Sequence, residues 1–433
     1  MKKGRMSLLL SATLFFVGIL APKAEAQPFV LSKVVDYNNT PIPDGSGSFT
    51  ALPGSPVISG KNVAFYGEGS SEQKGIYLFN GTTLSKVADL NTPIPGGSGN
   101  FTHLDINPVI SDGKVAFWGV GSGQQGIYLF NGTNLSSVAD LNTPVPGGSG
   151  NFTSLYFPVC SGEKIAFIGA GAGQQGVYLF NGSSLNKVAD YNTPVPEGSG
   201  NFFSFSSLTI SGDNMVFIGS SSSLVGIYLF NGTTLSKVAD FNTPIPDGFG
   251  NLTYFNAPSI SYCCVAFYGQ GASDQNGIYL FSGTTLSKVA DRNTPIPGGS
   301  ENFTYFGVNP VISEGNVAFQ GGGASQVGVY LFNGTTLSKV ADSNTPIPGG
   351  TENFFGFGGV VVSSGNVAFW GAGSGQHGIY LFNSIFLRKV ADRNTPIPGG
   401  SGNFDGLSYP VISGGNVALG GGAGVQRACP WAP

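Results

Sequence analysis

The sequence predicts an all-β protein, a β-propeller of four-stranded antiparallel blades, with eight blades favoured and seven as the alternative. Three observations lead there. A Val-Ala-Asp triplet, Val-Val-Asp at its first occurrence, places aspartate at 36, 89, 140, 190, 240, 291, 342 and 392, with spacings of 53, 51, 50, 50, 51, 51 and 50 residues. Each period holds four short segments rich in Val, Ile, Phe and Tyr and bounded by Gly, Asn, Ser or Pro, the pattern of strands. Between the third and fourth segments stand pairs such as Asn80-Gly81 and Asn131-Gly132, a strong hairpin signal because both central residues of a type I′ turn need positive φ.

Taken in chain order, the first residues read as an export signal: Lys2, Lys3 and Arg5, then an apolar run from Met6 to Ala21, then Ala24-Glu25-Ala26 ahead of Gln27. A basic start, an apolar stretch and an A-x-A site are the marks of a cleaved leader. The apolar run is too short for a spanning helix, and no later segment is longer. The expected organisation is a signal peptide over 1–26 and a single propeller domain over 27–433 made of eight repeats, the last one degenerate. Leader removal takes away four basic residues and one acid, which changes the net charge from −4 to −7. Only 10% of the residues are charged, and no basic stripe is present to neutralise phosphates, so nucleic-acid binding is not expected.

Leu31-Ser32-Lys33-Val34-Val35-Asp36 reads as a fourth strand without a blade of its own. Within a representative repeat, the strands are Pro108-Val109-Ile110-Ser111, Val115-Ala116-Phe117-Trp118-Gly119, Gly126-Ile127-Tyr128-Leu129-Phe130 and Leu135-Ser136-Ser137-Val138-Ala139-Asp140. A meander of four strands every 50 or so residues suits a propeller blade, and the period lies near the kelch value of about 50. Continuous apolar strands suit a sheet covered on both faces. The last repeat lacks the Gly-Ile-Tyr-Leu-Phe phrase, so its blade is expected to be incomplete and to be closed by the N-terminal strand, which removes the free sheet edges.

The linker Asn91-Thr92-Pro93-Ile94-Pro95 is expected to run stiffly from one blade to the next, because proline fixes φ and extends its predecessor. Gly96-Gly97-Ser98-Gly99 then permits a reversal, and Phe101 and its counterparts wedge between blades, with Leu252 in one repeat. The repeated aspartate could offer oxygen to calcium, but dispersal around the periphery favours a turn cap, and no metal is expected. The cysteines, Cys160, Cys263, Cys264 and Cys429, do not recur at equivalent repeat positions and form no framework. Cys160 stands where sister repeats have Ile, a core position. No cofactor-binding or catalytic motif occurs, and His103 and His377 each stand in a single repeat. Among acids, Glu68, Asp105, Glu163, Asp274 and Asp405 are the few candidates for a carboxylate pair.

In a meandering blade, the connections from strand four to the next strand one and from strand two to strand three share one rim. The residues expected to bind there are those following each aspartate, Tyr37, Leu90, Leu141, Tyr191, Phe241, Arg292, Ser343 and Arg393, together with Gln124, Gln125, Gln174 and Gln175 of the second-to-third loops. The opposite turns look architectural.

The phrases GIYLFNG, LSKVAD, NTPIPGGSGNF, PVIS and NVAFWG together resemble uncharacterised tandem-repeat proteins exported by bacteria, cyanobacteria among them. The likeness covers nearly all of residues 31–421. It implies a propeller and no activity. The expected function is an exported, non-catalytic module, a monomer outside the cell, on its surface or in the periplasm, which binds a protein or glycan or serves as a scaffold. The alternatives are a carbohydrate-active enzyme with its site at the central channel mouth and a purely structural envelope protein.

Overall fold

The computed structural model describes residues 29–421 and 424–429, with only the backbone of the last four. The expected leader and its cleavage site, the Cys429 side chain and residues 430–433 lie outside that description. The described residues form strands and turns with no helix. Eight antiparallel sheets stand in sequence order, each a meander of four strands. The third blade shows the pattern with strands Ser154–Ser161, Lys164–Gly171, Gln174–Phe180 and Leu185–Asp190.

The eighth blade takes Val411–Ser413, Asn416–Gly421 and Gly424–Cys429 from the end of the chain and Val30–Asp36 from its start. Val30 pairs with Cys429 and Asp36 with Gly424. The N-terminal strand therefore closes the ring, as expected. The blade is not incomplete, however: Gly424–Cys429 supplies the third strand. Gly424 faces Asp36 as Gly126 faces Asp140 in the second blade, so two residues of the repeat phrase, Gly-Val, suffice to set the register.

The core is divided into eight apolar clusters, each joining the facing surfaces of two neighbouring blades. Between blades one and two, Tyr66, Ile76, Leu78 and Val87 meet Ile94, Phe101, Leu104, Phe117 and Tyr128. The linker phenylalanine is thus an interblade wedge, and Leu252 occupies the same place, fully buried. Phe101 stands edge-on to Tyr128 with ring centroids 4.8 Å apart, an arrangement that adds to simple burial. The cluster between blades eight and one joins Val34, Val35 and Val425 to Phe49, Phe65 and Tyr77.

The linker differs from the stiff span expected of it. Pro93 bridges back to Asn100, and the Ile94 N–H donates to the Gly99 carbonyl at 3.0 Å, so the segment is a closed loop. Burial of Ile94 drives this: its side chain is 3% exposed and lies against Gly121, where a Cβ would sit 2.8 Å from the Ile94 Cδ1.

A ring of serines ties the inner strands together on the opposite side. The Ser59 hydroxyl accepts from the Asp112 N–H, Ser111 from Gly162, Ser161 from Gly212, Ser211 from Tyr262, Ser261 from Glu314, Ser313 from Ser364, Ser363 from Gly414, and Ser413 from Gly60. The last of these bonds, at 2.8 Å, returns to the first blade. Eight links close one circuit, an independent measure of the blade number.

Candidate binding face

The strand order places the linkers and the second-to-third loops on one rim, and hydrogen bonds join them there. Gln73 accepts from the Ser46 N–H at 2.9 Å and donates to its carbonyl at 2.8 Å. Gln275 holds Phe249 in the same way at 3.1 and 2.8 Å. Glu301 accepts from the Ala324 and Ser325 N–H groups at 3.1 and 2.9 Å. The rim is built of loops clamped to each other, a preorganised surface that has little entropy to lose on contact with a ligand.

The repeated aspartate ends the outer strand and caps the turn into the linker. Asp140 Oδ1 accepts from the Asn142 N–H at 2.8 Å and from the Thr143 hydroxyl at 3.1 Å, while the Asp140 N–H donates to Thr143 Oγ1 at 2.9 Å. In the seventh blade, Asp392 is fully buried and its Oδ2 accepts from Lys389 at 3.0 Å and from Gln376 at 2.7 Å. Burial alone would raise this carboxyl, but Thr395, Lys389 and Gln376 together hold it below its ordinary value. Gln124 is drawn into the same arrangement: it is 6% exposed and donates to Asp140 Oδ2 at 2.6 Å. Gln125 donates across to the Leu155 carbonyl of the next blade, Gln174 accepts from Asn192, and Gln175 lies 3.5 Å from the Tyr191 hydroxyl.

The residues following the aspartates are half-buried, Arg393 alone being exposed. Leu90, Leu141, Tyr191 and Phe241 pack onto interblade clusters. Tyr191 stacks on Phe205 at 6.3 Å and Phe241 lies 5.1 Å from Phe255. Tyr37 lines a cleft between blades eight and one. Ser343 accepts weakly from the Val327 N–H, Arg292 pairs with Asp274 at 3.5 Å, and Arg393 donates to the Asp405 carbonyl at 3.0 Å. These side chains form a discontinuous outer circle, each engaged with its own or the next blade.

Nearer the axis lies a different set. Ile106, Tyr156, Phe157, Phe203, Tyr254, Tyr305, Val308, Phe355 and Tyr409 are all exposed. All nine belong to the segment between the linker Phe (Leu252 in the fifth repeat) and the serine of the inner strand. Phe157 is the extreme case, 71% exposed at a φ of 55°, a backbone region that costs a bulky residue about 1–3 kcal/mol. Below these residues the inner strands bound an apolar channel lined by Val57, Val109, Val159, Cys160 and Val411 among others. Burial, then the charge of Asp112, push the Cys160 thiol up to about 12, so this cysteine is a wall residue rather than a nucleophile.

The candidate acids do not converge. Glu163 pairs with Lys114 at 3.1 Å on the opposite rim, Glu68 with Lys74 at 3.5 Å, and Asp274 with Arg292. Among the described residues no group of His, Cys, Asp and Glu is placed to hold a metal ion, and no helix is long and apolar enough to cross a membrane. His103 and His377 lie against Trp118 and Trp370 with ring centroids 5.6 and 5.8 Å apart.

A family model matches residues 30–263 and again residues 262–425. The chain belongs to the DUF7453 family. That family is one of unknown function, and no curated protein matches the chain. Among solved structures, the β-propeller domain of the Trilobed protease from Pyrococcus furiosus aligns at 15% identity over 81% of this chain and 100% of its own, with a TM-score of 0.44. The Dos1 propeller aligns at 12% identity over 87% and 92%, with a TM-score of 0.43. The acylaminoacyl peptidase of Pyrococcus horikoshii aligns at 14% identity over 79% of this chain but only 53% of its own, about half its length, with a TM-score of 0.42. Likenesses this distant carry no function, and the eight blades of this DUF7453 chain are counted from its own strand pairing.

For this member of the family, the axial set of exposed side chains is what a reading of the outer circle misses. A signal for it is present in the sequence: the stretches Thr102–Asn107, Thr153–Phe157, Phe203–Ser207, Thr304–Asn309 and Phe355–Gly359 keep Thr or Phe first and Leu or Phe third but otherwise differ, although the phrases on either side of them change less.

Proposed function

We propose that this chain is a non-catalytic binding or scaffold module whose protein or glycan ligand rests on the face formed by the linkers and the second-to-third loops. On this reading it works outside the cytoplasm, as a monomer, once a leader over 1–26 has been removed. The observation that carries the proposal is the grouping of nine exposed apolar or aromatic side chains on one face, since soluble surfaces seldom gather such residues without a partner. Variation of the segments on that face, over a frame that repeats eight times, supports the same reading.

The test compares both rims of the full chain. Phe203→Glu and Phe355→Glu place charge on the proposed face, while Ile385→Glu places it on the third-to-fourth turns of the opposite rim. With a photoreactive phenylalanine analogue in place of Phe203, Phe355 or Ile385 and the protein in its native setting, adducts are expected from the first two positions alone, and Phe203→Glu or Phe355→Glu should reduce those formed from the other of the two. Equal labelling from the two rims would refute the assignment of the face.

A further inference from the structure

We propose that the binding face contains a seat for one ring of a neutral saccharide, at the channel mouth between the inner strands of blades six, seven and eight. The inference rests on the binding-face reading and names the ligand class for it. A cavity of about 440 Å³ opens there, within the range typical of small-ligand sites. Its walls are Val308, Val311, Val360 and Val361, its polar groups the amides of Asn309 and Gln320, and one side is the Tyr409 ring.

Absent side chains make the room. Where blade three carries Tyr156 and Phe157, blade seven has Gly358 and Gly359. A Cβ at Gly359 would lie 2.5 Å from Tyr409 Cγ, and one at Gly358 would lie 3.1 Å from its ring. The tyrosine therefore packs against bare backbone and is still 60% exposed. At Gly307 a Cβ would crowd Gln320 at 3.2 Å. Tyr409 is steadied from behind by Trp370, edge-on at 6.5 Å between centroids.

The chemistry of the walls selects the ligand. No acid or base lines the cavity, so a charged group entering it would be desolvated without compensation. A purely apolar ligand would leave the Asn309 amide without a partner, a cost of the same kind, whereas Gln320 already meets the Tyr305 side chain. A sugar ring satisfies both demands, because its C–H face can lie on Tyr409 and the valines while its hydroxyls meet carbonyl and N–H groups of Asn309 and Gln320.

The experiment titrates the full chain with soluble neutral oligosaccharides of glucose, mannose and N-acetylglucosamine, beside uronic-acid and sulfated ones, and follows binding by calorimetry. At least one neutral series is expected to bind saturably and the anionic ones not at all. Tyr409→Ala should weaken binding at least tenfold and Val308→Glu abolish it, whereas Tyr409→Phe should retain it and Ile385→Ala leave it unchanged. Unfolding midpoints equal to the parent's confirm that each variant is folded, and Val308→Glu decides the matter if Tyr409→Ala is not. Binding of anionic sugars alone, or neutral binding indifferent to both Tyr409→Ala and Val308→Glu, overturns the seat. If no saccharide binds while crosslinking still marks the face, the saccharide inference falls and the binding-face reading stands; if both are negative, both fall.

Discussion

Gly378 has no room for a methyl group. A Cβ there would lie 2.5 Å from the Ala391 carbonyl oxygen and 2.9 Å from Asp392 Cβ, because the outer strand passes directly over it. At the equivalent Gly126, the Tyr128 ring folds back to within 2.9 Å of the same point. The glycine of each Gly-Ile-Tyr phrase is thus fixed by close approach rather than by backbone conformation. Gly378→Ala is expected to destabilise the chain by about 1–3 kcal/mol, as overpacking does. Gly406→Ala, with nothing within 4 Å of its Cβ position, should fall within roughly 0.5 kcal/mol of the parent. Denaturant unfolding of the two variants side by side checks the difference. The aspartate cap was legible in the sequence from its turn context, but its lysine was not. Lys389 and Asp392 are three apart, and in a regular strand they would point to opposite faces. The register shift between Ile379 and Tyr380 against the outer strand marks a bulge at Val390 that turns both to one side.

At the scale of the strand, one residue separates split from whole inner strands in blades one to seven. From the linker phenylalanine to the inner serine, blades one, two and six are one residue longer than blades three, four, five and seven, where Leu252 stands for the phenylalanine in the fifth. In the longer group the strand splits, as into His103–Leu104 and Val109–Ser111; in these four shorter ones it stays continuous through a bulge, as at Tyr156 and Val159. Blade eight has the shorter span from Phe404 to Ser413, yet its inner strand is Val411–Ser413 with a separate bridge from Leu407 to Gly421. Splits and bulges together lift the intervening side chains out of the ladder and onto the axial face, which is why alternation in the sequence does not reveal them. The inner end of the same strand is uniform. Ser111 accepts from the Gly162 N–H at 2.8 Å, and Ser111→Ala is expected to cost about 0.5–1.5 kcal/mol, the net worth of one such bond. A lower unfolding midpoint with an unchanged denaturant slope would match that expectation, while an unchanged midpoint would remove the serine ring from the account of closure.

For the whole molecule, closure is the property on which the other scales depend. Blade number and the borrowing of the first strand were legible because the strands could be counted against a nearly fixed period. The third strand of the last blade was not, since only Gly424 and Val425 keep the phrase and pairing with Val30–Asp36 supplies the rest. The first strand therefore has two tasks: it covers the edge of Gly424–Cys429, and it places Val34 and Val35 in the cluster with Phe49, Phe65 and Tyr77. Deleting residues 30–36 should leave an unpaired strand edge and an open apolar blade face, both routes to association. The truncated chain is expected to elute as concentration-dependent oligomers in size-exclusion chromatography with light scattering, and to unfold at a lower midpoint. A synthetic peptide of residues 30–36 added in excess should pair with the open edge as an added strand and restore the parent's elution. A truncated chain that elutes as the parent does, with the parent's midpoint, would mean that the other seven interfaces hold the ring without its clasp.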